Sequence, residues 1–323
     1  MRNRKLNLIM SVVLGGALIA CSNVSTVKTT GDINLVLESH EIIRTDKAGP
    51  NIDYYFSKPT DVKSYPIVII IGGSTDKEHL SSIADFHKYF SQQLVQNKLG
   101  AISVDGWGIN INQTNESEFM AHYTRSQILS NYQQVINYIK KYPPVGWNGK
   151  LALLGVSEGG NVEIELNENK ANDILATVIW SGAGDYSWSR ELWKNMQEVS
   201  KEIPVDCSSN DCQAIRNKQI YDKRMESILK NPTPNQYFFN MTNMYMADAL
   251  TYPTPDYAKM NGKLLIVSGA QDTLIASSDE FYRKAKQNNV DITYWRIESM
   301  DHLIRKRPDL MNNSFVWLAK ELN

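Results

Sequence analysis

A serine between two glycines is the first feature of this sequence that could do chemistry. Gly155, Ser157 and Gly159 form a G-x-S-x-G pattern directly after an apolar run at 151–154. An apolar strand that turns sharply into a helix exposes such a serine above the carboxyl end of a sheet. Glycines are needed there because the turn is tight and neighbouring chain passes close to it. The pattern therefore predicts a nucleophilic serine on a strand-to-helix elbow.

A base and an acid for this serine follow in the order that the chemistry requires. A serine hydroxyl needs a base to accept its proton and a third group to hold that base. Of the five histidines, only His302 lies downstream of Ser157, in the order serine, acid, histidine. Asp272 follows a predicted strand at 263–268, and His302 follows the next one at 292–297. We therefore predict a triad of Ser157, His302 and Asp272.

Three other aspartates compete with Asp272 for the role of the acid. Asp279 falls within the next predicted helix, and Asp291 starts a predicted strand. Asp301 adjoins His302 in sequence, so its side chain should point elsewhere. These placements favour Asp272 over the alternatives.

The oxyanion that forms during acyl transfer needs backbone N–H donors. The residue after the nucleophile, Glu158, should supply one of them. The second should come from the loop Gly72-Gly73-Ser74, which ends an apolar run at 65–71. We assign it to Gly73, with Ser74 as the alternative. The two glycines are also compatible with a simple tight turn.

The remaining chain alternates between strand and helix patterns, which predicts a mainly parallel, doubly wound α/β sheet. We predict strands at 33–37, 52–56, 65–71, 101–104, 151–154, 174–180, 263–268 and 292–297, and helices at 86–98, 118–140, 278–287 and 308–321. Ligands of such sheets bind beyond the carboxyl ends of the strands. The domain should therefore span 32–323 and carry its site at that edge.

Residues 185–258 break this alternation and are interpreted as a mostly helical cap laid over the carboxyl edge. The segment is rich in aromatic and methionine side chains at 188–196 and 237–246. Most of them should pack the cap onto the sheet. Some should face the pocket, because methionine and aromatic side chains make adaptable apolar walls for an acyl chain.

From about residue 33 to the end, the sequence resembles the α/β-hydrolase superfamily. The stretches 155–160 and 261–266, the latter leading to Asp272 and Ser277, are similar to the carboxyl-terminal domain of acyl-CoA thioesterases and bile-acid acyltransferases. Dienelactone hydrolases and prolyl-oligopeptidase-type domains are also similar. Many members carry His-Gly-Gly where this chain has Ile71-Gly72-Gly73.

The resemblance implies a serine hydrolase that cleaves an ester or thioester bond of a small-molecule acyl substrate through an acyl-enzyme, without a metal or an organic cofactor. A prolyl-oligopeptidase-type peptidase is the alternative enzyme. A catalytically inactive hydrolase fold that binds a partner at the cell envelope is the alternative from another class. An inactive fold usually loses a triad member, so the complete set argues for an enzyme.

The amino terminus has the pattern of an export signal. Positive residues at 2–5 precede an apolar run at 6–20, which is short for a membrane span. The sequence Leu-Ile-Ala-Cys at 18–21 resembles the bacterial lipoprotein signal, in which Cys21 becomes the lipidated first residue. Residues 21–31 would then form a tether to the membrane. We expect a lipid-anchored protein of the cell envelope, in the outer membrane or at the cell surface if the cell has two membranes. An ordinary secretory signal is the alternative.

The other two cysteines, Cys207 and Cys212, are close enough in sequence to form a disulfide, which an exported protein would keep. Two free thiols are the alternative, and no histidine lies near them to complete a zinc site. Asp105 and Glu158 could hold a cation, although a solvated loop pair is the simpler interpretation. The net charge of −1 over 323 residues gives no reason to expect a nucleic-acid partner.

Overall fold

A single sheet forms the centre of the computed structural model, which describes residues 37–46, 49–182, 184–185, 188–202 and 207–323. Eight strands hydrogen-bond in the order β1-β2-β4-β3-β7-β8-β11-β12. Two small hairpins, β5–β6 and β9–β10, lie outside the sheet. The strands in chain order are β1 Glu38–Ile42, β2 Ile52–Ser57, β3 Tyr65–Ile71, β4 Gly100–Val104, β5 Ile109–Asn110, β6 Gln113–Thr114, β7 Trp147–Val156, β8 Ile174–Trp180, β9 Tyr237–Phe238, β10 Met241–Thr242, β11 Lys263–Gly269 and β12 Ile292–Ile297.

Within the sheet, the six neighbouring strands β4, β3, β7, β8, β11 and β12 run parallel, whereas β2 pairs antiparallel with both β1 and β4. Central strand β3 is apolar along its length because helices cover both faces of the sheet. Its side chains alternate between two cores: Val68 and Ile70 face one, and Ile67 and Ile69 face the other. The carboxyl ends of β3, β7, β8, β11 and β12 therefore share one edge.

Helices cover both faces of this sheet. The α-helices in chain order are α1 Ala84–Gln96, α2 Glu116–His122, α3 Arg125–Lys141, α4 Glu158–Glu168, α5 Trp188–Glu202, α6 Asn210–Arg216, α7 Lys218–Lys230, α8 Asn243–Leu250, α9 Ile275–Gln287 and α10 Pro308–Leu322. Side chains of α1 and α10 fill the core on one face, and those of α3, α4 and α9 fill the cores on the other. This layering confirms the predicted fold class.

Most predicted elements lie within a few residues of the observed ones, but the predicted helix 118–140 is wrong. Two helices, α2 and α3, occupy this stretch and meet at an extended corner formed by Tyr123 and Thr124. The Thr124 side chain accepts a hydrogen bond from the Gln127 backbone N–H and so caps the start of α3. Apolar residues continue at helical spacing across the corner, so the periodicity of the sequence does not reveal it.

Several predictions fall on residues that the structure does not describe. They are the signal segment 1–20, the lipidation site Cys21, the tether 21–31 and all but the last residue of the predicted strand 33–37. These stay predictions. Among the residues that are described, no helix combines the length and apolar character needed to span a membrane.

The segment between β8 and β11 is mostly helical, as predicted for 185–258. Its helices α5 to α8 share one apolar core with α2 and the corner at Tyr123. Most of the aromatic and methionine side chains noted in the sequence are in this core or packed against it, namely Trp193, Met196, Tyr237, Phe238, Phe239, Tyr245 and Met246. Cys207 and Cys212 form a disulfide that ties α6 to the chain before it.

Candidate active site

Ser157 lies on a sharp elbow between β7 and α4, with φ 54° and ψ −120°. A residue with a side chain rarely adopts a positive φ, so the conformation is strained. Neighbouring chain presses on the elbow: a Cβ at Gly159 would lie 2.4 Å from the Ile71 carbonyl oxygen. Only glycine therefore fits at that position. These contacts give the elbow the geometry that the sequence pattern predicts.

The structure brings Ser157, His302 and Asp272 into one hydrogen-bonded line. His302 Nε2 lies 3.0 Å from Ser157 Oγ, and His302 Nδ1 lies 2.8 Å from Asp272 Oδ2. The Asp272 side chain is almost fully buried, whereas that of His302 keeps 18 % of its surface exposed. Each residue follows the carboxyl end of a different strand, which is why residues so distant in sequence meet at this edge.

Two of the three competing aspartates are engaged elsewhere, and the third lies at the amino end of its strand. Asp279 accepts a hydrogen bond from Tyr294 at 2.8 Å. The Asp301 side chain accepts a bond from the Leu303 backbone N–H at 2.8 Å and pairs with Lys306. Asp291 precedes β12, on the opposite side of the sheet from the triad. Of these acids, Asp272 is the one hydrogen-bonded to His302.

The charge state of His302 is set by opposing effects. Burial is the largest influence and lowers the pKa of the imidazole, but the charge and hydrogen bond of Asp272, together with the charge of Asp301, outweigh it. The net result is a pKa raised above the ordinary value of 6.5. Asp272 therefore stabilises the imidazolium, the form that a general base becomes after accepting a proton.

A second buried carboxyl, that of Glu191 on α5, lies near the triad. Burial raises its pKa to about 7, opposed by a hydrogen bond with Ser277 and by the charge of Arg125. The negative charge of Asp272 raises it further. Glu191 could not be predicted from the sequence, because nothing in its local pattern distinguishes it from a surface glutamate.

The two predicted oxyanion donors belong to neighbouring segments. Glu158 is the first residue of α4, and the N–H groups of a first helical turn have no partner within the helix. Gly73 lies in the loop after β3, and the carbonyls of Ile71 and Gly72 lie so close to Gly159 in the first turn of α4 that a Cβ there would clash with them. Ser74, the alternative to Gly73, is buried. The loop after β3 therefore packs against the helix turn that carries Glu158, and the donor roles of Glu158 and Gly73 stay predictions.

The Glu158 carboxylate is buried in a network that also was not predicted. Arg125 donates to it at 2.9 Å and Tyr123 at 3.0 Å, and the Tyr245 hydroxyl of the insertion completes the set. Arg125 and Glu158 are each only 3 % exposed. The Thr124 cap was the one sequence signal that could have located this corner.

The interpretation of Asp105 and Glu158 as a solvated pair is wrong, because both are buried. Asp105 accepts hydrogen bonds from Tyr55 at 2.6 Å and Ser82 at 2.8 Å, and burial raises its pKa to about 6. Each carboxylate is satisfied by protein donors. Among the described residues, no group of three or more histidine, cysteine, aspartate or glutamate side chains is placed to hold a metal ion.

Two cavities flank the site. The smaller, about 30 Å³, is lined by Ser157, His302 and residues 303–305. The larger, about 100 Å³, begins at Gly72 and Gly73 and continues among side chains of the β4 end, α2 and α3. None of the described residues that line these two cavities belongs to 185–258. The expectation that some side chains of the insertion face the pocket stays a prediction.

Comparisons with known proteins identify the fold. No protein-family profile and no curated protein matches the sequence. An esterase of Rhizomucor miehei is similar in structure, with a TM-score of 0.59 and 13 % identity over 98 % of this chain and 90 % of its own. An esterase of the archaeon Pyrobaculum calidifontis gives a TM-score of 0.59 and 14 % identity over 99 % and 91 %.

The Pyrococcus horikoshii acylaminoacyl peptidase gives a TM-score of 0.56 and 10 % identity, over 88 % of this chain and 41 % of its own. These similarities and the strand order show that the chain has the α/β-hydrolase fold, which confirms the fold that the sequence resemblance implies.

Proposed function

We propose that this α/β-hydrolase-fold protein is a serine hydrolase that cleaves an ester or thioester bond. The observation that carries the proposal is the continuous hydrogen-bonded line from Ser157 through His302 to Asp272. The strained φ of Ser157 supports it, because strain of this kind is retained where function requires it.

In the first half of the reaction, Ser157 Oγ attacks the substrate carbonyl carbon while its proton passes to His302 Nε2. The negative charge moves to the carbonyl oxygen, where the N–H groups of Glu158 and Gly73 stabilise it. The bond to the leaving group then breaks, and His302 returns the proton to the departing oxygen or sulfur. Asp272 holds the imidazole and stabilises its charged form throughout.

In the second half, water replaces the leaving group. His302 takes one proton from the water, and the resulting hydroxide attacks the acyl carbon. The carbon–Oγ bond breaks, the proton returns to Ser157, and the carboxylic acid leaves. No step needs a metal or an organic cofactor.

Two other functions are compatible with the fold. A peptidase is supported by the similarity to the acylaminoacyl peptidase, of which this chain covers less than half. A catalytically inactive binding protein would need no triad, so the complete geometry argues against it.

A fluorophosphonate probe and a substrate panel test the proposal. The soluble form, residues 22–323, should be labelled by the probe, and Ser157→Ala should abolish labelling. The same protein should hydrolyse activated esters faster than peptide amides. Equal labelling of the Ser157→Ala variant would refute the nucleophile, and faster cleavage of peptide amides would establish the peptidase.

We further propose that the protein is exported and anchored by a lipid on Cys21, on the strength of the sequence at 18–21. Cys21→Ser should move the protein from the membrane fraction to the soluble fraction. Intact-mass spectrometry of the wild type should show an acylated cysteine as the first residue. A mature chain that begins elsewhere without lipid would overturn this proposal.

A further inference from the structure

The larger cavity crosses the carboxyl edge of the sheet on the β3 and β4 side of Ser157. Its walls are mostly apolar and aromatic, formed chiefly by Ile83, Phe86, Trp107, Phe119, Ile128 and Tyr132. The Tyr132 hydroxyl donates to the Ile70 carbonyl at 2.9 Å, so it is satisfied by the protein. The Trp107 indole is held between the Arg44 guanidinium and the His122 ring. The cavity therefore has rigid, largely apolar walls.

The direction of the cavity follows from the strand order. Ser157 follows β7, the Gly72–Gly73 loop follows the neighbouring β3, and Asp105 follows β4, which is two strands away from β7. Adjacent strands lie about 4.8 Å apart, so the cavity extends about 10 Å from the nucleophile. Its lining includes Gly73, the proposed oxyanion donor. The cavity therefore reaches the segment at which the carbonyl oxygen of a substrate would bind under the proposed function.

The two sides of the site have different chemical roles. His302 must return a proton to the leaving group, so the leaving group belongs in the smaller cavity, which His302 lines. The acyl group then points away from His302. We propose that the larger cavity is the acyl pocket, and that its occupant is an apolar, medium-chain acyl group that carries an oxygen near its far end. This inference rests on the proposed hydrolase function.

The polar terminus is inferred from Asn131, which lines the cavity and is only 4 % exposed. Its Oδ1 accepts hydrogen bonds from Arg44 at 2.6 Å and from Gln127 at 2.8 Å. Those donors fix the amide, so its Nδ2 is the group left to donate. Among the described residues Nδ2 has no protein acceptor, and it is not one of the fully buried side-chain atoms that lack a partner. A ligand oxygen at the end of the acyl group would satisfy it.

Esters that share a 4-nitrophenyl leaving group test the pocket. Each buried methylene contributes a factor of about four, the equivalent of ~0.8 kcal/mol, so wild-type kcat/KM should rise at least about tenfold from acetate to octanoate. Ile128→Trp should fill the cavity and remove that gain, so that kcat/KM no longer rises from acetate to octanoate. Tyr138→Trp, on the exposed face of the same helix, is the matched control and should behave as wild type.

The polar end is tested with 7-oxo-octanoate. Wild type should prefer it to octanoate, and Asn131→Leu should cancel that preference, a change of about two- to tenfold for one hydrogen bond. If Ile128→Trp instead impairs long-chain acetates such as octyl acetate, the cavity holds the leaving group and the assignment is overturned. If acetate is hydrolysed but neither variant changes the chain-length profile, the pocket assignment alone fails. If no ester is hydrolysed, the proposed function fails with it.

Discussion

Removing a single hydroxyl, in Tyr245→Phe, should impair catalysis although Tyr245 lies in the insertion and outside the triad. The Tyr245 hydroxyl donates to Glu158, whose backbone N–H is the proposed oxyanion donor next to Ser157. Arg125 and Tyr123 supply the other bonds to the same carboxylate. The substitution keeps the ring that stacks on Tyr123 and removes only the donor.

The magnitude follows from the burial of the network. A hydrogen bond to a buried charged group contributes about 1.5–3 kcal/mol, and Glu158 is only 3 % exposed, so solvent replaces little of the loss. We expect the midpoint of thermal unfolding to fall by roughly 3–10 °C. Complete loss of an oxyanion donor lowers kcat by about 10²–10³-fold. A displaced donor should cost less, and we expect a fall of about tenfold in kcat with KM nearly unchanged.

Tyr221→Phe is the control, because it is the same substitution in the same apolar core. Tyr221 is 1 % exposed and its hydroxyl has no hydrogen-bond partner among the described residues, so removing it should be nearly neutral. Thermal unfolding and steady-state hydrolysis of 4-nitrophenyl acetate give the two readouts for each variant. If Tyr245→Phe lowers the unfolding temperature but leaves kcat intact, the network only supports the fold and the reasoning is refuted.

Four further predictions concern the triad and its surroundings. Asp272→Asn should lower kcat by orders of magnitude and Asp301→Asn should not, because only Asp272 bonds His302; the reverse order in steady-state assays would identify Asp301 as the acid. His302 must be neutral to act as a base and its pKa is raised, so kcat/KM should increase with pH through a midpoint above 6.5. Asp272→Asn should move that midpoint down. The same profile measured in Glu191→Gln excludes any contribution from the titration of Glu191. Because its pKa is raised, Glu191 keeps a proton in the folded state between pH 4.5 and about pH 7 that it loses in the unfolded state. Wild-type stability should therefore fall as pH rises across that range, and Glu191→Gln should stabilise the protein at pH 8, by up to about 3 kcal/mol, but not at pH 4.5. Equal denaturation curves of the two proteins at pH 8 would contradict this. Replacing Cys207 and Cys212 by serine should cost roughly 2 kcal/mol of unfolding free energy, and reductant should lower the unfolding temperature of wild type but not of this variant.

The sheet could be predicted from the sequence because its signals are local. Strands β3 and β8 begin and end where their apolar runs do, since both faces of each strand are buried. The triad could be predicted for a related reason: once the strands are placed, Asp272 and His302 must lie at the same edge of the sheet as Ser157. Chain order and strand ends were sufficient to bring them together.

The network around Glu158 could not be predicted, because its partners are brought together only by tertiary packing. Arg125 lies 33 residues before Glu158, and Tyr245 lies 87 residues after it. The corner between α2 and α3, which places Arg125, is not visible in the sequence because apolar residues continue at helical spacing across it. The cavities have the same origin, since their walls combine segments whose individual patterns indicate only core packing.

At the positive φ of Ser157, the residue that would be most stable differs from the residue that the proposed chemistry requires. A strained backbone of this kind costs of order 1–3 kcal/mol, and glycine would relieve most of it. Stability alone would therefore favour the residue that has no hydroxyl. Under the proposed function, Ser157 is kept at this position because turnover requires its hydroxyl, at a cost to the stability of the fold. If turnover were not selected, substitution at this position would tend toward glycine while the fold persisted.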